Sequence, residues 1–386
     1  MNLKKVKMSK YQICKRCVID NASYVNTKFN SHGICSYCLN FDKNIKPKLF
    51  QNIKNKNFAI KLKQKLNLSK KFYKSDYDCL IGVSGGVDSS YLVYHAVTDL
   101  NLKPLLYHVD TGWNNSIAVS NIEKIIDKFG LDLHTDVIDW NEMKDLCRSF
   151  LKSQVPYMES IQDHAIWAGM HKYAKENNIK HILTGGNLQT ENIRAPLNIA
   201  YYAGDLTLMK DIHNKFGDIS LNKFPTLDIL KYKIYYKYIY KIKLHQPLNY
   251  INYKKNVAIT TLQNKIDWKS YGGKHHESNF TKFFDGYWKP KKFNHDNRRG
   301  HLSSLIVTKQ ISRDEAISEL KKNSFDEISL NRDLQYISSK LDFDLKELKI
   351  LFDGKNKYYY DYRSKHKILN FITTIIKFLK INIKQI

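Results

Sequence analysis

The run Cys79-Leu80-Ile81-Gly82-Val83 has the length and apolar character of a buried strand, and Ser84-Gly85-Gly86 follows it as a turn. From Ser89 onward Leu92, Val93, Ala96 and Val97 recur at helical spacing. A strand turning through glycines into a helix constrains the chain to a layered α/β arrangement. It also makes an anion site, because free backbone N–H groups and the positive end of the helix point at one spot. Paired glycines let backbone approach a phosphate where a Cβ would clash. Ser84, Gly85, Gly86, Val87, Asp88, Ser89 and Ser90 are therefore expected to cradle a nucleotide's phosphates. Asp88 is placed to hold a cation that bridges phosphate oxygens.

No lysine follows the glycines, which excludes the G-x-x-x-x-G-K-S/T ATPase loop. Ser-Gly-Gly-Val-Asp-Ser-Ser instead resembles the pyrophosphatase (PP) loop of enzymes that cleave ATP between the α- and β-phosphates and adenylylate an oxygen. NAD synthetase, GMP synthetase, asparagine synthetase and the tRNA thiolases are among them. The motif says little about the acceptor, and an ordinary strand-to-helix turn is the plainer reading of the same residues.

From Tyr77 the pattern alternates strand and helix, which predicts a parallel sheet with helices on both faces. The second strand, Pro104 to Asp110, ends in Asp110-Thr-Gly-Trp113. Ligands gather at strand C-termini, so His108, Asp110 and Trp113 are expected beside the nucleotide. A third strand is read over Leu131 to Ile138 and a fourth over Lys180 to Thr184. Gly185-Gly186-Asn187 then forms the far wall of the same site. Glu191 could share Mg²⁺ with Asp88, or serve only as a first-turn helix carboxylate. Asp163 and His164, in the polar opening of a helix over Ile161 to Ala174, are further substrate-binding candidates.

Cys14-x-x-Cys17 and Cys35-x-x-Cys38 are two knuckles suited to tetrahedral zinc. Four thiolates leave no open position, so the ion would be structural; redox cysteines and an iron–sulfur cluster are the alternatives. The expected organisation is a zinc-ribbon-like module at 1–45, a linker helix at 46–76, an ATP-binding domain at 77–215 and a mostly helical region at 216–386.

Six cysteines in 386 residues, four of them in knuckles, fit a reducing cytosol better than disulfides. No apolar stretch follows the basic start as a secretory signal requires. No run approaches the ~18 apolar residues of a membrane span. A cytoplasmic protein without membrane contact is expected. The formal charge of +26 raises the question of nucleic acid. The excess is spread evenly and travels with Ile, Asn and Tyr, which reads as compositional bias, and anionic nucleotides suit a positive field equally well. Lys231 to Lys243 alternates Lys with Tyr and Ile, as an exposed strand, a basic ribbon for single strands or a biased packing face would. Ser312 to Glu315 and Ser324 to Glu327 read as capping boxes opening helices. Ile368, Ile372, Ile375 and Leu379 line a last helix read as core or dimer surface.

The densest polar cluster outside the loop is Trp268-Lys-Ser-Tyr-Gly-Gly-Lys274-His275-His276-Glu277-Ser278, followed by His295-Asp-Asn-Arg298-Arg299-Gly-His301. Arginine binds phosphate or carboxylate in two places at once, and His and Glu can move protons. A satisfied polar loop is the plainer alternative. The knuckles, Ser-Gly-Gly-Val-Asp-Ser, His-Val-Asp-Thr-Gly-Trp, Thr-Gly-Gly-Asn, Tyr-Gly-Gly-Lys-His-His-Glu-Ser, Arg-Arg-Gly-His-Leu-Ser-Ser-Leu-Ile and Ile-Ser-Arg-Asp-Glu-Ala occur in that order. Together they resemble the N-acetyl sugar amidotransferase family, which acts in lipopolysaccharide O-antigen and flagellin-glycan sugar biosynthesis. The resemblance implies an ATP-dependent, amidine-forming ligase that converts the acetamido group of a nucleotide-linked N-acetyl sugar into an acetamidino group.

The chemistry fits the residues. ATP adenylylates the amide oxygen, the loop and Mg²⁺ hold the departing pyrophosphate, and ammonia attacks the O-adenylyl imidate. Lys274, Arg298 and Arg299 are expected to bind anionic parts of the substrate, with His301 beside them. Asp88, His275, His276 and Glu277 are the candidate catalytic residues; the last three orient the acetamido group or take ammonia's proton. No glutaminase nucleophile is visible: Asn2 follows Met1, and Cys79 and Cys147 lack a glycine-flanked turn. A glutaminase partner is therefore expected, as in related systems, with a channel-forming subunit also possible. A tRNA thiolase is the competing reading, and a non-catalytic zinc-and-nucleotide module a third.

Overall fold

The computed structural model describes residues 10–273, 276–323, 325 and 327–378. Five strands, β1 (Cys79–Gly82), β2 (Pro104–Asp110), β3 (Leu133–Val137), β4 (His181–Leu183) and β5 (Lys243–His245), form one parallel sheet in the order β3-β2-β1-β4-β5. The order reverses at β1, so the crevice at the C-terminal end of β1 is where a ligand is expected to sit.

Alternation along the strands divides the core in two. Leu80, Leu105, Tyr107, Val109 and Ile182 face the helices Trp140–Lys152, Ser160–Glu176 and Leu206–Phe216 together with much of the C-terminal region. Cys79, Ile81, Leu106 and Leu183 face the helices Phe58–Tyr73, Val87–Thr98, Ser116–Phe129 and Lys255–Ile266. Both faces are covered over the central strands β1, β2 and β4, as their near-continuous apolar runs require. The stretch read as one linker helix is two, Lys46–Lys54 and Phe58–Tyr73, and Leu62 and Leu66 of the second are buried against the sheet.

The sheet runs past residue 215. β5 pairs in parallel with β4 (His181 with Lys243, Leu183 with His245), although it lies in the region expected to be mostly helical. The Lys231 to Lys243 run is a correction to the strand reading. Ile229–Lys231 is α-helical and Tyr232–Ile239 continues as a π-helix, so only the last residue of the run enters a strand. Tyr232 and Tyr236, four apart on that helix, both pack edge-on against His171. Helical packing onto the helix Ser160–Glu176 has overridden the local two-residue period.

The cysteine module forms a third core with Tyr24, Phe41, Ile193 and Val307. It is tied to the helix Asn297–Val307. Arg299 reaches Asp20 at 3.0 Å and the Val18 carbonyl at 2.8 Å, and the Val18 N–H donates to Ser303 at 3.2 Å. Arg313 donates to the carbonyls of Cys14 and Cys17. Ser312 and Glu315 make the expected reciprocal capping box, while Ser324 and Asp326 of the second box lie outside the described residues. In the last helix, His366–Phe378, Leu369 is buried while Ile368, Phe371 and Ile375 are exposed, so the expected apolar face is not core here; Leu379 lies outside the described residues. Among the described residues no helix is long and apolar enough to cross a membrane.

Candidate active site

β1 delivers the chain into the loop and the helix Val87–Thr98 leads it away. Gly86 is the N-cap and brings no side-chain cap, so the helix's first N–H groups face the crevice without a side-chain acceptor at the cap. Gly85 has φ +75°, and a Cβ there would lie 2.1 Å from the Ala118 carbonyl oxygen, so this turn requires glycine. The Gly85 carbonyl is held from outside by Trp268 Nε1 at 3.0 Å and Asn121 Nδ2 at 3.3 Å. Asn121 in turn exchanges two 2.8 Å bonds with the backbone of Lys269. Ser84 and Ser89 bond each other at 3.3 Å.

The second glycine turn closes on the first. A Cβ on Gly185 would lie 2.7–2.8 Å from backbone atoms of Asp88 and Ser89. Asp88 Oδ1 accepts from Tyr253 at 2.5 Å and from Asn187 at 3.4 Å. The Tyr253 phenol is pushed up by burial and then by Asp88, with Glu191 adding to the effect, so both carboxylates act on one place. Asp88 and Glu191 line the same small cavity and are the residues that would hold Mg²⁺ there.

Two cavities meet at this crevice. The smaller, about 230 Å³, is walled by the loop, Gly185, Gly186, Lys255, Trp268 and Tyr271. The larger, about 680 Å³, runs over the C-terminal ends of β1 and β2 to the helix Asn297–Val307. Ser84, Glu191 and Glu277 line both. Glu277 accepts from the Tyr271 hydroxyl at 3.2 Å, and its backbone carbonyl accepts from Asn115 N–H at 2.8 Å. Its neighbour Ser278 donates to Gln162 at 3.0 Å.

The structure gathers part of the expected set here. Ser84, Gly86, Val87, Asp88, Ser89, Gly185, Gly186, Asn187, Glu191, His108, Asp163, Glu277 and His301 line one cavity or the other. His108 is oriented by Val83 O at 2.9 Å and Asn114 at 3.0 Å. Others are engaged elsewhere. Ser90 is buried inside its helix, Asp110 caps its turn by accepting from Gly112 N–H at 2.7 Å, and Trp113 is buried in the core against Phe280. His164 bridges backbone, Nδ1 to the Ala203 carbonyl at 2.7 Å and Nε2 from Leu227 N–H at 3.1 Å, and burial pushes its pKa down. Arg298 is spent on Asp296 and the carbonyls of Glu319 and Lys322, and Arg299 on the cysteine module. Neither arginine lines either cavity, unlike the anion-binding residues expected there. His276 lines neither cavity, and its Nδ1 accepts from Gly273 N–H at 3.0 Å. Lys274 and His275 lie outside the described residues.

Lys255, Tyr253, Gln162, Arg194 and Lys289 belong to the site without having been singled out. They come from scattered elements and carry no motif. Only Lys289 had a local signal, an Asp285-x-x-x-Lys289 pair on an otherwise aromatic helical stretch.

The four module thiols lie within 4.8 Å of one another, with Cys14–Cys38 at 3.9 Å and Cys17–Cys35 at 3.6 Å. Tetrahedral coordination with metal–sulfur bonds of ~2.3 Å sets sulfur–sulfur edges of about 3.8 Å. The geometry fits one tetrahedral ion, whereas a four-iron cube would spread its ligands further. Cys79 and Cys147 are fully buried and burial raises both thiols, Cys147 to about 12.

The parallel sheet, the glycine loop with its aspartate and the facing glycine turn have the architecture of a PP-loop domain. Residues 277–377 match the protein-family model described as LPS biosynthesis protein WbpG-like, C-terminal domain. That match supports the N-acetyl sugar amidotransferase family, which the ordered motifs resemble. No curated protein matches the chain. Similar solved structures include NMN synthetase from Francisella tularensis, at 16% identity over 52% of this chain and 74% of that one, TM-score 0.28. The U34-tRNA thiolase NcsA from Methanococcus maripaludis with its 4Fe-4S cluster is 12% identical over 83% and 95%, TM-score 0.32. The NH3-dependent NAD synthetase from Campylobacter jejuni subsp. jejuni NCTC 11168 in complex with the nitrate ion is 14% identical over 70% and 99%, TM-score 0.27.

Proposed function

We propose that the chain is an ATP-dependent amidotransferase that converts the acetamido group of a nucleotide-linked N-acetyl sugar to an acetamidino group. It would act in the cytoplasm, in the making of lipopolysaccharide or flagellin-glycan sugars. The observation that carries the reading is the meeting of two cavities at Ser84, Glu191 and Glu277. The small one suits the β- and γ-phosphates; the large one has room for the nucleoside and an acceptor. The scissile α–β bond then lies at the junction, within reach of an acceptor oxygen.

The loop N–H groups, Ser84, Ser89 and Lys255 hold the phosphates and, with them, the pyrophosphate that leaves. Asp88 and Glu191 would hold Mg²⁺, which would supply charge neutralisation to the phosphates. Adenylylation forms a bond from the amide oxygen to the α-phosphorus, breaks the α–β bridge and releases pyrophosphate. Ammonia then adds to the imidate carbon, AMP departs with the former amide oxygen, and a proton is lost. Glu277 lies where it can take that proton. Catalysis is mainly positioning and electrostatics. The cysteine module would hold a structural zinc ion, and ammonia would come from a glutaminase partner. The burial of Cys79 and Cys147 speaks against a thiolase, which needs a reachable thiolate.

Mass spectrometry of reactions with ATP, Mg²⁺, ammonium and UDP- or CMP-linked N-acetyl sugars tests the proposal. The expected product has oxygen replaced by NH and appears with AMP. AMP release that needs tRNA and no sugar would overturn it.

A further inference from the structure

The larger cavity is lined by a buried charged group that the proposed chemistry does not use. Lys289 is 2% exposed yet lines the cavity, and its Nζ donates to Glu159 at 2.6 Å and to Asp285 at 2.7 Å. An ammonium carries three N–H donors, and among the described residues these two carboxylates are the acceptors it has. One donor in the wall is left for something in the cavity.

Burying an ion pair is seldom the most stable choice; an apolar wall of the same volume is often as good or better. That directs attention to recognition. The charges of the lining indicate what is recognised. In a chain of formal charge +26, the larger cavity carries the carboxylates Glu159, Asp163, Glu191, Glu277 and Asp285. Among the described residues, Arg194 and Lys289 are the fixed cations of that lining. Lys289 is further neutralised by its own partners. Burial first, and then the charge of Asp285, push Glu159 up. One ammonium held by two carboxyl groups presents no net positive charge to the cavity. Such a wall repels phosphate and suits uncharged ligand hydroxyls, which both donate and accept.

We infer that Lys289, clamped between Glu159 and Asp285, is a hydroxyl-binding subsite that reads the neutral, polyhydroxylated ring of the acceptor. The inference rests on the amidotransferase reading and assigns the part of the cavity lined by Lys289 to the sugar. The acceptor's phosphates then lie away from Lys289.

The test is steady-state kinetics of the full chain with ATP, Mg²⁺, ammonium, the sugar nucleotide it turns over and ring-deoxy analogues of that sugar. The wild type should discriminate against at least one analogue by about tenfold or more in kcat/KM. Lys289→Met should raise the acceptor KM by about tenfold, leave the ATP KM within about twofold and erase the discrimination. Because that change strands Asp285, the double variant Lys289→Met with Asp285→Asn removes the pair together and should behave alike. Discrimination retained in a folded variant overturns the subsite. So does weakened inhibition by the free nucleoside phosphate, which would put phosphate on Lys289. No turnover by the wild type with any sugar would defeat the amidotransferase reading itself, and the subsite with it.

Discussion

Trp268 donates its indole N–H to the carbonyl of Gly85 at 3.0 Å, joining the phosphate loop to a segment 183 residues away. With Asn121 on the same oxygen, it fixes that carbonyl outside the anion site, so the neighbouring loop can present N–H groups to it.

Trp268→Phe keeps most of the buried ring and removes the donor. The expected cost is about 1–3 kcal/mol for a carbonyl left with a weaker partner set, and an ATP KM raised by about tenfold. Thermal melts and ATP titrations check both. Gly85→Ala should be far worse, because both its φ of +75° and the Ala118 carbonyl exclude a Cβ. An alanine variant with normal ATP use would refute this account of the loop.

Asp88→Asn keeps the shape that accepts from Tyr253 and removes the charge available to a cation. Pyrophosphate release should fall by about a thousandfold, as loss of charge stabilisation at phosphoryl transfer typically does, while the melting temperature changes little. Glu277→Gln should act differently. If Glu277 takes the proton from ammonia, pyrophosphate release survives better than amidine formation. Equal losses in both steps would contradict that role.

The α/β layering was readable because apolar runs and glycine turns are local signals, and β1 to β4 fall where those signals lie. β5 was not, since three residues after a Tyr- and Lys-rich helix carry no period and exist by pairing with β4. Asp88, His108 and Glu277 were singled out from local context, and all three line the cavities. His164, Arg298 and Arg299 have partners that local context did not reveal, for one shared reason. A polar residue in a polar stretch looks available until its partners are known, and theirs are backbone carbonyls, an amide and aspartates, most of them supplied by other elements. Lys255 and Lys289 reach the cavities only through tertiary folding.

Removing one module thiol should release the metal and loosen a neighbouring wall. Tyr24, buried in the module core, also lines the larger cavity and packs close over Gly300, where a Cβ would meet its hydroxyl at 2.2 Å. Cys35→Ser should lower bound zinc, measured by elemental analysis, and cost on the order of 3 kcal/mol or more of stability. The acceptor KM should rise more than the ATP KM, because the module touches the larger cavity and not the loop. A variant that keeps its metal, or a protein that never held one, would remove the basis for this role.

Acid should attack the sheet at β4 and β5. His181 Nδ1 and His245 Nε2 lie 2.9 Å apart across those strands, so one ring donates and the other accepts, and both cannot be protonated. Burial is the leading cause that pushes His181 down to about 3 and His245 to about 4, with Lys65 and Lys243 adding repulsion. The unfolded chain, with ordinary histidines near 6.5, takes up protons that the folded sheet refuses. Stability contributed by this pair is therefore complete above about pH 6.5 and falls as pH drops toward the folded values, by roughly 1.4 kcal/mol per unit for each histidine. His245→Gln retains a donor and an acceptor and removes one titration. Urea unfolding between about pH 7 and about pH 5 should show a shallower acid loss in the variant than in the wild type. Because Thr184 N–H donates to the His245 carbonyl at 3.0 Å, loosening β5 should also free the second glycine turn, and the ATP KM should rise over the same interval. Parallel slopes for the two proteins would show that the acid sensitivity lies elsewhere.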